Sequence, residues 1–195
     1  MGRLMTCLLN VNASQRLRLA PALTALLALS LFGATALAQS APAPGSGLPV
    51  PRYVSLKSDR VNVRKGPGAD YPVAWVFQRA GLPVEIVKEF ETWRQIRDSE
   101  GAQGWVQQNL LSGRRTALVA PWDAKSAKSA DGQPPTTPLH DRASNSSPVP
   151  ALVAPGVLAS ILNCDSGWCL VSFGDIRGYI EQAKLFGVYP DETVK

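Results

Sequence analysis

Residues Arg60-Val61-Asn62-Val63-Arg64-Lys65-Gly66-Pro67-Gly68-Ala69-Asp70 read RVNVRKGPGAD. Val61 and Val63 alternate with polar neighbours, the period of a half-buried strand. Lys65 to Asp70 then breaks the strand into a loop, because Gly and Pro favour turns. Further short runs follow at similar spacing: Val73–Phe77, Pro83–Lys88, Trp93–Arg97 and Gly104–Val106. Val, Ile, Trp and Phe dominate them, as suits a pleated surface with one buried face. No sustained helical period occurs after residue 38. The pattern predicts an all-β chain.

Outward from this stretch the plan repeats. Tyr71-Pro72-Val73 matches Ser147-Pro148-Val149, and Ala80-Gly81-Leu82-Pro83-Val84 matches Pro155-Gly156-Val157-Leu158-Ala159. Trp93 matches Trp168, and Gly104-Trp105-Val106 matches Gly178-Tyr179-Ile180. Four landmarks recur in order at offsets of 74–76 residues, which marks a tandem duplication. Arg64 aligned with Arg142 gives the second copy a shorter first loop.

The first copy resembles the bacterial SH3 (Src-homology-3-like) domain family. The resemblance rests on Asn62-Val63-Arg64-Lys65-Gly66-Pro67-Gly68, Gly81, Trp93 and the closing Gly104-Trp105-Val106. The second copy is divergent: it lacks the Gly-Pro-Gly loop and has Tyr179 for the closing Trp. The resemblance implies two tandem small SH3-like five-stranded barrels. It also implies an exported cell-envelope protein that binds something and catalyses nothing. Cell-wall glycan or peptide is the ligand usually suggested for the family.

Around these copies, the first 38 residues hold Arg3, Arg16 and Arg18 but no acidic residue. An apolar run of about 14 residues follows, shorter than the roughly 20 a spanning helix needs. It ends in Ala36-Leu37-Ala38, so 1–38 reads as a cleaved helical signal peptide of Sec type, cut between Ala38 and Gln39. The expected organisation is then a flexible leader over 39–52, a first SH3 domain over 53–113 and a Pro/Ser/Ala-rich linker over 114–137. A divergent second domain over 138–190 and a tail over 191–195 complete it. The predicted location is periplasmic or secreted, with no stable membrane insertion once the signal is cut.

The chain has 20 basic and 15 acidic residues, and three of the basic ones leave with the signal. No basic stripe of the kind nucleic acid requires is left. Of three cysteines, Cys7 lies in the signal, leaving Cys164 and Cys169. An even count in an oxidising compartment favours a disulfide. The repeat aligns Cys164 with Glu89 and Cys169 with Arg94, at facing positions of one predicted hairpin. The bridge is worth about 2 kcal/mol in the chain-entropy model. The facing Glu89–Arg94 pair, read as exposed, is worth about 0.2–1 kcal/mol.

No catalytic site is expected. His140 is the single histidine and reads as a surface or linker-end residue. No G-x-S-x-G, P-loop or dinucleotide fingerprint occurs, and no metal or cofactor is expected. The recurring aromatics Trp93, Trp105, Trp168 and Tyr179 read chiefly as barrel core. Tyr71, Trp75 and Phe77 occur only in the first copy and are candidates for a binding groove, with Arg64 and Lys65 at its rim. The expected partner is a wall glycan or peptide, or an envelope protein. The alternative is a structural scaffold or partner subunit of an envelope complex with no wall binding.

Overall fold

A computed structural model describes residues 45–125 and 135–195. The signal peptide, its cleavage site and the leader up to residue 44 lie outside the described residues, as do residues 126–134 of the expected linker.

The first copy comprises β1 (Arg52–Leu56), β2 (Val61–Arg64), β3 (Val73–Phe77), β4 (Pro83–Phe90), β5 (Trp93–Arg97), β6 (Gln103–Gln107) and the two-residue β7 (Leu111–Ser112). They form one antiparallel sheet in the order β3-β2-β6-β5-β4-β1-β7. The second copy comprises β8 (Thr116–Val119), β9 (Thr137–Leu139), β10 (Ala151–Val153), β11 (Leu158–Asp165), β12 (Trp168–Phe173), β13 (Ile176–Glu181) and β14 (Leu185–Phe186). Its order is β13-β12-β11-β8-β14, and β10-β9 joins β13 through a bridge between His140 and Tyr179. The two topologies are the same. The fold is all-β, with short 3-10 turns and no α-helix among the described residues.

The five strands legible in each repeat are β2–β6 and β9–β13. In both copies the long fourth strand bulges at the same place, between Ile86 and Lys88 and between Ile161 and Asn163. A bulge bends a strand sharply, which wraps a short sheet into a barrel. The closing glycines have a steric reason. A Cβ on Gly104 would lie 2.4 Å from Val63 Cγ1, and one on Gly178 would lie 2.6 Å from Leu139 Cγ.

The first strand of the second copy departs from the expected organisation. The composition puts the linker at 114–137, but Thr116–Val119 is β8, paired with β11 and β14 inside the second sheet. All four of its residues are buried. A strand covered on both faces loses the alternation that identifies a strand. The Pro/Ser/Ala-rich stretch therefore joins β8 to β9 within the second copy, and Gly113 to Arg115 alone connect the barrels. Two further segments pack where none was expected to. Ser46 of the leader binds Glu89 through its backbone N–H and hydroxyl. Val194 of the tail is buried and exchanges both backbone hydrogen bonds with Cys164, at 2.9 and 3.0 Å.

Each barrel has its own core, Leu56, Val61, Val63, Val84, Ile86, Ile96 and Val106 in the first. The second is built on Val119, Leu139, Ile161, Cys164, Cys169, Val171 and Ile180, with Val188 and Val194 from its C-terminal segment. The barrels belong to one compact unit. Tyr53 packs on Phe186 and Tyr189, with ring centroids 5.3 and 4.7 Å away. Tyr189 donates its hydroxyl to the buried Glu85 carboxylate at 2.8 Å, and Arg97 donates to the same carboxylate at 2.7 Å. Burial, reinforced by the charge of Glu85, pushes the Tyr53 phenol up to about 12 and raises Tyr189 as well.

Candidate functional site

Alternation along β2 turns Val61 and Val63 into the core and leaves Asn62 and the half-buried Arg64 on the other face. On β5 and β6 the inward set is Arg94, Ile96 and Val106, so Trp93 and Trp105 belong to the outer face. Between these outward sets lies a cleft of about 390 Å³ lined by Arg60, Asn62, Arg64, Ala69, Trp93, Gln107 and Leu110. This is within the size range of small-ligand sites.

The Gly-Pro-Gly loop forms one rim. Lys65 N–H donates to Pro72 O at 3.1 Å, closing the loop. Arg64 Nη1 donates to Tyr71 O at 2.7 Å, which ties the guanidinium to that rim. The Tyr71 ring lies over Gly66, and a Cβ there would approach it to 2.3 Å. Only a residue without a side chain fits beneath the ring.

The candidates separate into two groups. Arg64 lines the cleft, and Lys65 and Tyr71 are exposed on its loop. Trp75 and Phe77 face Val63 and Val61 across β2–β3 and pack against the core, with an edge-to-face ring contact at 6.1 Å. Trp75 Nε1 is buried with no hydrogen-bond partner among the described residues. Neither ring lines the cleft. The expected division of aromatics is inverted for four of them: Trp93 and Trp105 lie outside the buried core cluster, and Trp75 and Phe77, two of the three rings peculiar to the first copy, pack against it. Arg60, Asn62, Trp93, Gln107 and Leu110 complete the cleft. The alternation of RVNVR already marks Arg60 and Asn62 as companions of Arg64, because residues two apart share a face.

Register identifies the equivalent place in the second copy. Arg64 bridges Trp105 where His140 bridges Tyr179. Trp93 faces Gln107 where Trp168 faces Glu181. Asp141 N–H donates to Pro148 O as Lys65 does to Pro72, so the two first loops have the same length and the counterpart of Arg64 is His140, not Arg142. His140 is 5 % exposed rather than a surface residue. Its ring meets the Trp168 ring edge-on at 5.3 Å, and its Nδ1 lies 3.4 Å from Ser147 Oγ. Imidazole packs against the indole at the position where the first copy has Arg64.

At the hairpin end, Cys164 pairs with Cys169 in register and the disulfide is formed, both residues fully buried. Glu89 pairs with Arg94 at the same register in the first copy. That pair is not exposed: the side chains are 9 and 4 % accessible, 3.1 Å apart. Burial alone would raise the Glu89 pKa. Hydrogen bonds from Arg52 and from Ser46, with the charge of Arg94, overcome it and hold the carboxyl at about 2. Among the described residues no group of three or more His, Cys, Asp and Glu could hold a metal ion.

The family model described as "Bacterial SH3 domain" matches residues 57–113 and 133–187. The curated relative "Putative N-acetylmuramoyl-L-alanine amidase YrvJ" of Bacillus subtilis (strain 168) is 27% identical over 125 residues. The match covers 64% of this chain and 24% of that protein, so the chain spans about a quarter of its relative's length. Two solved structures, NlpC1 and NlpC2 from Trichomonas vaginalis, align at 13% and 12% identity with TM-scores of 0.31 and 0.30. They cover 74% and 70% of this chain and 48% of each of those chains.

Proposed function

The chain belongs to the bacterial SH3 domain family, and on that premise we propose that it is a non-catalytic exported binding protein of the cell envelope. Its first barrel takes a component of peptidoglycan into the cleft between the Gly-Pro-Gly loop and β5–β6. The observation that carries this reading is the cleft, with arginine, amide and indole side chains converging on one outer face. Arg64 and Trp93 form its walls, and Lys65 and Tyr71 stand at the rim. Export rests on the signal peptide read from residues 1–38. Among the described residues no helix is long and apolar enough to cross a membrane. The link to the wall draws on the amidase relative, whose shared part is a quarter of its length.

A second reading, a scaffold or partner subunit without wall binding, is favoured by the second copy. Its His140 is buried against Trp168 at the equivalent place, and its C-terminal segment is packed on the first barrel. Co-sedimentation of the oxidised exported chain with purified sacculi over a salt series separates the two. Wall binding predicts pelleting that weakens as salt screens Arg60 and Arg64, and that Trp93→Ala reduces. A protein that stays in the supernatant at every salt concentration supports the scaffold, and cross-linking in intact envelopes then identifies its partner.

A further inference from the structure

We infer that the first-barrel cleft reads a free carboxylate of the wall peptide, and that the second barrel is unable to do so. The inference rests on the wall-binding reading and specifies its ligand chemistry.

Of the seven lining residues two are arginines and none is acidic. Asp59 lines an adjoining cleft, which Arg60 also borders. Four other arginines of the described chain, Arg52, Arg94, Arg97 and Arg115, each hold a carboxylate within 3.1 Å. Arg60 and Arg64, like Arg79, Arg114, Arg142 and Arg177, hold none among the described residues. Two guanidiniums on one face leave a local excess of positive charge, which an incoming anion offsets. Guanidinium also matches carboxylate geometry, with two parallel N–H donors. Arg64 is already oriented by its bond to Tyr71 O, so less of its freedom is lost on binding. Asn62 and Gln107 offer both donors and acceptors for peptide groups next to such a carboxylate. Trp93 adds an aromatic wall. A neutral glycan has no need of two cations.

The second copy replaces this chemistry position by position. His140 stands for Arg64 and Glu181 for Gln107. Thr136 and Lys184 occupy the places of Arg60 and Leu110 at the repeat offsets. The imidazole is buried against Trp168, and Glu181 opposes an anion.

The test titrates the oxidised exported chain calorimetrically with a soluble muropeptide carrying free peptide carboxylates, and with the same muropeptide fully amidated. The expected result is one site per chain for the free form and affinity at least about tenfold weaker for the amidated form, from the loss of charge-assisted hydrogen bonds. Arg60→Gln, which breaks no hydrogen bond of the loop, should weaken the free form alone, and the Arg60→Gln/Arg64→Gln double variant should weaken the free form further. Equal affinity for the two forms, two sites per chain, or no binding of either form overturns the inference. Sacculus pelleting keeps the two claims apart. If sacculi pellet the protein while amidation changes nothing, wall binding stands and carboxylate reading falls. If the free muropeptide binds tighter but sacculi do not pellet the protein, carboxylate reading stands and attachment to the intact wall falls, the ligand then being a released wall fragment.

Discussion

The same hairpin end is closed in two ways. In the first barrel Glu89 faces Arg94, and in the second Cys164 faces Cys169. Two buried charges need other groups around them, because an unsatisfied buried ion is costly. Arg94 accordingly donates to Glu91 O, Trp93 O and Gln108 Oε1. Glu89 takes donors from Ser46 and Arg52. The ion pair thereby draws the leader onto the barrel. The disulfide needs no polar partners, and its strand accepts the chain's C-terminal end through Val194. Each barrel secures a flanking segment, one through charge and one beside a covalent core.

The largest effect expected from breaking this comparison is Arg94→Met. It leaves Glu89 short of its inner partner and should cost the first barrel about 3 kcal/mol, at the low end for a broken buried pair because Arg52 remains. Urea unfolding of the oxidised protein measures it, and a loss below about 1 kcal/mol would return the pair to the exposed class. The Cys164→Ala/Cys169→Ala variant should cost the second barrel about 2 kcal/mol, the chain-entropy value for so short a loop. An unchanged midpoint would make the bridge ornamental.

Acid sharpens the contrast at somewhat smaller magnitude. The Glu89 carboxyl is held down at about 2. A depressed carboxyl stabilises fully above its unfolded value of about 4.5, and that contribution is lost as pH falls toward 2. The first barrel should therefore lose on the order of 1–2 kcal/mol over that window, less than the full shift because water reaches part of the site. Glu89→Gln should flatten the dependence, and an identical acid profile for variant and parent would refute the assignment. The smallest effect expected is for Tyr189→Phe, about 1 kcal/mol, as Glu85 loses one donor but keeps Arg97. A loss of several kcal/mol would mean that the phenol carries more of the inter-barrel contact than one hydrogen bond.

The duplication and the disulfide register were legible because strands preserve spacing, and an offset of 75 carries Glu89 and Arg94 onto the cysteines. β8 was not legible. Its four residues are buried on both faces, and a long polar excursion separates it from β9. The site was half legible. Arg64 and the loop were marked by the Gly-Pro-Gly pattern, whereas Trp75 and Phe77 were drawn to the groove because the second copy lacks them. Packing supplies the reason for that asymmetry. The second copy has Ala151 and Val153 at these positions and fills its core with Val188 and Val194 from the C-terminal segment, beside the disulfide. An aromatic kept by one copy alone here marks a different core. The arginines that line the cleft were recoverable from alternation alone.

The first barrel has a cleft beside Trp93, whereas the second has His140 buried against Trp168 at the equivalent place. The most direct test follows the indole and arginine side-chain signals by NMR while the free-carboxylate muropeptide is added to the oxidised protein. Shifts of Trp93, Arg60 and Arg64, with Trp168 and His140 unmoved, are the predicted result. Shifts of Trp168 and His140 without those of Trp93 would contradict it.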